Sequence, residues 1–126
     1  MKTIRISCIS LLFLLSLLHF KSANADDTSP LVIVRFNQDN VSYTHSLARA
    51  VSSALRIKPT SFFDIVAVIP GKEGEKQYKR LKKTASLQTQ NIARTMQQSG
   101  VQPNRLRIST QSNPHAASNE VHIFVR

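Results

Sequence analysis

Three histidines, one aspartate in an apolar run and a dense cluster of cations are the side chains of this chain best placed to do chemistry. His45, His115 and His122 share no metal-ligand spacing, and no cysteine lies near them. Serine, histidine and aspartate all occur, but without a nucleophile motif, and the three glycines form no phosphate-cradling loop. His122 sits inside a short apolar run, where an imidazole is expected as a structural side chain. Asp64 interrupts another such run. It reads either as an acid perturbed by burial or as a residue near the end of a strand, and the second reading is preferred. Neither catalysis nor a metal or cofactor is expected.

The cations are more distinctive. Lys72, Lys76, Lys79, Arg80, Lys82 and Lys83 crowd into one stretch, with Glu73 and Glu75 as the only local acids. Such a run suits an anionic lipid, an acidic protein or glycan, or nucleic acid. Nucleic acid is disfavoured because Tyr78 alone offers a stacking ring nearby, and because the start of the chain marks it for export. A solvated helix start accounts for the same run.

That export signal is read from Lys2 and Arg5, the apolar stretch Ile9 to Phe20, and the small residues Ala23-Asn24-Ala25. Together they form a signal peptide, residues 1–25, cut after Ala25. The apolar stretch is shorter than the ~20 residues a bilayer span needs. Cys8 precedes the stretch instead of following it, so lipidation is not expected. Cleavage removes three of the 17 basic residues and none of the 7 acidic ones, leaving a mature net charge of +7 and no cysteine. A small exported domain without disulfides must then hold together by packing alone, and the mature chain has no expected membrane span.

After a polar leader (residues 26–30), the mature chain reads strand, helix, strand, helix, strand, strand. Leu31 to Phe36 is β-branched and apolar, ended by Asn37-Gln38-Asp39-Asn40. From about Ser42 to Arg56, Leu47, Val51, Ala54 and Leu55 recur at helical spacing before Pro59. Phe62 to Ile69 is apolar apart from Asp64 and predicts a strand buried on both faces, broken by Pro70-Gly71. Leu81, Ala85, Thr89, Ile92 and Met96 mark one face of a long second helix, and Gly100 suits its left-handed cap. Leu106 and Ile108 alternate with Arg105 and Arg107; Ser109 to Asn119 reads as a polar loop, and Val121 to Val125 as the last strand. The order predicts an α/β (α+β) two-layer sandwich over residues 31–126, with a mixed sheet and two main helices.

The ordered set resembles the OmpA-like C-terminal domain, a peptidoglycan-associating module. Asp64-Ile65-Val66-Ala67-Val68 is similar to the strand that leads to the family's G-H-T-D motif. Tyr78 and the helix closing in Gly100-Val101 resemble its Y-N-x-x-L-S-x-x-R-A helix. Ser118-Asn119-Glu120-Val121-His122-Ile123 falls where the family has N-R-R-V-E-I. The resemblance implies the βαβαββ fold and the periplasm of a Gram-negative bacterium. It also implies a site in which the motif's aspartate and the helix's arginine clamp the zwitterionic end of diaminopimelate.

This sequence departs from the clamp at both positions. Val68-Ile69-Pro70-Gly71 replaces G-H-T-D, and Gln88 falls where the arginine is expected, counted back from Gly100. Asn119 and Glu120 replace the tail's paired arginines. A degenerate site of this kind would draw on Gly71, Glu73, Gln88 and Arg94, with Glu73 offering a carboxylate and Arg94 a guanidinium from non-matching positions. The expected role is therefore a structural or assembly subunit of an envelope complex, with a type IVB (Dot/Icm-like) secretion core as its setting. Peptidoglycan binding with altered chemistry is the alternative. The signal-peptide reading is checked by intact-mass analysis of the exported protein: the expected chain begins at Asp26, and a mass that retains Met1 would contradict it.

Overall fold

The computed structural model describes residues 29–126, so the expected signal peptide with Cys8 and most of the leader lie outside the described residues. The elements follow the expected order: β1 (Val32–Arg35), α1 (Thr44–Ile57), β2 (Phe63–Pro70), α2 (Lys76–Gln98), β3 (Leu106–Asn113) and β4 (Glu120–Val125). They form a two-layer α/β sandwich of two helices on a four-stranded mixed sheet, ordered β1-β4-β2-β3. β4 lies antiparallel between β1 and β2, pairing Val34 with Val121 and Ile65 with Ile123, while β3 runs parallel to β2 at the edge. Among the described residues no helix is long and apolar enough to cross a membrane.

Side-chain alternation builds the core. Phe63, Ile65, Ala67 and Ile69 of β2 point to one face and are buried; Val34, Val121 and Ile123 join them from the flanking strands. Leu47 and Val51 from α1 and Ile92 and Met96 from α2 close over that face. Thr89, buried on the same side of α2, donates its hydroxyl to the Ala85 carbonyl at 3.0 Å, which satisfies it inside the helix.

Three sequence expectations need correction. β2 is buried throughout on only one face: both helices pack there, while on the open side Val68 is buried but Asp64, Val66 and Pro70 are half-buried. The predicted loop at Ser109 to Asn119 begins only after Asn113, because the polar residues Ser109 to Asn113 pair with Val66 to Pro70. Backbone pairing with an apolar central strand overrides their composition. That pairing also carries β2 through Pro70, one residue past the expected break. Ile108 is 48% exposed because α2 lies over β2 and leaves β3 overhanging.

The end of α2 forms as the sequence implied. Gly100 adopts φ +108, its N–H donates to the Gln97 carbonyl at 3.0 Å, and the Val101 N–H reaches back to Met96 at 3.1 Å. This is the paired 6→1 and 5→2 bonding of a Schellman cap, sealed by burial of Val101 and Met96 together. A Cβ at position 100 would meet Leu55 Cδ1 at an ordinary 3.5 Å, so any penalty is one of backbone conformation. Gly100→Ala should lower stability by about 1 kcal/mol, read as a lower urea midpoint with an unchanged slope. An equal or higher midpoint would contradict this account of the cap.

Candidate functional site

At the carboxyl end of β2 the sheet and α2 diverge around Gln88. α2 aligns Gln77, Leu81, Thr84, Gln88 and Asn91 at alternating offsets of 4 and 3, which brings them to one helical face. That face borders two adjoining recesses that share Phe36 and Gln88. One, of about 260 Å³, is closed by Pro70 and by Ala117, Ser118 and Asn119. The other, of about 320 Å³, is closed by the segment Asp39 to Tyr43 and by Asn91.

Asn119 holds this corner together. It is 4% exposed, and its Nδ2 donates to the Leu81 carbonyl at 3.0 Å and to Gln88 Oε1 at 3.2 Å. Its own carbonyl accepts the Phe36 N–H at 2.9 Å. One residue thus fastens β1, β4 and α2. With Gln88 Oε1 engaged, Gln88 Nε2 is the atom left to face the cleft. Phe36 and Tyr43 pack edge to face at 6.0 Å, and burial pushes the Tyr43 phenol above its usual range, so it stays a neutral donor. Asp39 is the only charged side chain on either wall.

The four residues expected at a degenerate ligand site do not come together. Gln88 lines both recesses. Gly71, at φ +92, turns the chain just beyond Pro70, which lines one. Glu73 is exposed in the loop before α2, outside both walls. Arg94 is exposed about five turns along from Lys76 on the same outer line of α2, away from the Gln88 face. Sequence reasoning overlooked Thr84, Leu81 and Gln77, although stepping back from Gln88 at helical spacing reaches them. Asn119, noted there only as a replaced arginine, proves to be the hub.

The six cations are all exposed. Lys76, Lys79, Arg80 and Lys83 follow one line on the first turns of α2, whose first turn carries no acid, while Lys72 precedes the helix and Lys82 lies off the line. Lys76 and Arg80 border a shallow recess of about 520 Å³ with Gln77, which also borders the cleft. No ion pair involves these cations among the described residues. The positive end of the helix dipole adds to their field instead of offsetting it.

The remaining candidates are engaged elsewhere. His122 Nε2 lies 2.8 Å from Glu120 Oε2, and Glu120 also meets Arg35 at 3.4 Å, all on the open sheet face. Asp64 takes a forked contact from Arg126 at 2.9 and 3.1 Å. Among the described residues no cluster of histidine and carboxylate groups could hold a metal ion.

No family model matches the chain, and no curated protein matches it. Solved structures share its fold. The C-terminal domain of MotB from Helicobacter pylori superposes with a TM-score of 0.56 at 14% identity, covering 75% of this chain and 84% of that one. The OmpA-like domain of FopA1 from Francisella tularensis subsp. tularensis superposes with a TM-score of 0.56 at 12% identity, covering 74% of this chain and 70% of that one. The likeness is one of fold: this chain has the OmpA-like α/β sandwich. Because the Asn119 side chain makes two bonds to α2 and Gln88 takes part in only one of them, Asn119→Ala should cost about 1–3 kcal/mol, more than Gln88→Ala, in urea unfolding of the two variants. Equal losses would remove Asn119 from its place as the hub.

Proposed function

We propose that the chain is a non-catalytic, exported OmpA-like domain that serves as a structural or assembly subunit of a cell-envelope complex in the periplasm. A type IVB secretion core is the setting proposed for it. The observation that carries this reading is that the described walls of the Gln88 cleft hold no cation to answer the Asp39 carboxylate. Clamping a zwitterion takes a carboxylate and a guanidinium within reach of one another, and here the helical position holds an amide already bonded to Asn119. Arg94 and Glu73, the charges that sequence offered as substitutes, stand outside the cleft walls. A ligand carboxylate desolvated against amides alone gains little in return for its lost hydration. The unpaired cations at the start of α2 favour an acidic protein surface as one contact of such a subunit.

A second reading, peptidoglycan binding with altered chemistry, is favoured by one feature. The cleft is open, and Gln88 Nε2, Tyr43 and Asp39 offer donors and an acceptor around it. The two readings separate in a paired assay of the mature protein on purified sacculi and of detergent-solubilised envelopes. The expected result is no retention on sacculi and recovery in a high-mass membrane complex. Retention on sacculi that disappears in Gln88→Ala would replace the subunit reading with the wall-binding one.

A further inference from the structure

At the pole opposite the cleft, α1 carries a second apolar stripe that the core covers only in part, Ala54 packing against it while Ile57 stands clear. Leu47 and Val51 face inward and are fully buried, whereas Ala50, Ala54 and Ile57 follow another line, with Ile57 87% exposed. With Leu31 just before β1 and Val125 at the end of β4, they floor a groove of about 380 Å³. A lone exposed isoleucine is ordinary, but a concave apolar floor spanning three elements is not what a solvated helix face provides.

The charged side chains that line this groove are all cations. α1 contains no acidic residue; Arg49 and Arg56 stand about two turns apart along one flank of the stripe, and Lys58 and Arg126 line the groove itself. Arg126 spends its charge on Asp64, while Arg49, Arg56 and Lys58 enter no ion pair among the described residues. Resting on the subunit reading above, we propose that this groove docks an apolar segment of a partner protein whose flanks are acidic. Its apolar side chains fill the floor, and its carboxylates face Arg49, Arg56 and Lys58. The rim charges then set partner choice and encounter rate more than raw affinity. A second copy of this chain is a poor occupant, because an isologous contact would bring the same arginines toward one another. A flat lipid surface leaves a concave floor unfilled.

The test uses the mature protein and fluorescence anisotropy with a labelled amphipathic helical peptide. Leucines are placed at helical spacing and flanked by glutamates, beside an isomer flanked by lysines. The glutamate peptide should bind at least about tenfold tighter. Ile57→Glu and Ser53→Glu, both at exposed positions, should abolish that binding without moving the urea midpoint, and Arg49→Glu with Arg56→Glu should reverse the preference toward the lysine peptide. Equal binding of the two peptides, or binding indifferent to Ile57→Glu, overturns the proposal. So does dimerisation in sedimentation that Ile57→Glu abolishes, or binding to anionic phosphatidylglycerol vesicles without peptide binding. Envelope fractionation separates this proposal from the one it rests on. Wild type and Ile57→Glu both found in the high-mass complex would sink the groove and leave the subunit reading standing. Wild type absent from any complex would sink the subunit reading, and the peptide preference would then decide the groove alone.

Discussion

The last strand of the chain must be laid between the first two. β1 and β2 never pair directly; β1 gains its one neighbour, and β2 its second beside β3, only when β4 enters antiparallel between them, bringing Val121 and Ile123 under the helices. The β2–β3 pairing can form without it, but β1 joins the sheet only through that insertion. The Asn119 side chain, at the mouth of β4, is bonded to α2 across 31 and 38 positions of sequence. Closing loops of that size before reward arrives makes such a topology slower to form than one built from neighbouring hairpins.

From this insertion follows a division of the molecule into a covered face and an open one. Both helices pack on the covered face, which takes the odd-numbered side chains of β2, Phe63, Ile65, Ala67 and Ile69. The open face carries two charge pairs, Arg35 with Glu120 and Asp64 with Arg126, and the exposed Arg107 stands in register beside Asp64. Such half-exposed pairs contribute on the order of 1 kcal/mol at most, so they keep this face soluble more than they hold the fold. Unpaired cations gather instead on the helices, on α2 at one pole and around the end of α1 at the other.

Most of the architecture could be read from residue order. Helical spacing marked both helices, and Gly100 with Val101 marked the end of α2 down to its hydrogen bonds. The lower half of β3 could not be read, since Ser-Thr-Gln-Ser-Asn becomes a strand only because β2 offers a partner. Apolar continuity in β2 suggested two covered faces, but composition does not say on which side a crossover helix will settle. At the candidate site, counting back from Gly100 found Gln88. The same counting, applied to phase, sets Arg94 on another face of α2, so a residue six positions away could not complete a site with it. Asn119 was beyond reach because its partners are distant in sequence.

The polarity that disguised β3 has a consequence of its own. β3 is an outer strand, paired on one side only, and its other edge presents backbone N–H and C=O groups along Leu106–Asn113. An edge of that length, if apolar, would template cross-β stacking with any extended chain it met. Clothed in serine, threonine, glutamine and asparagine over most of its run, it offers an arriving chain few apolar side chains to pack against.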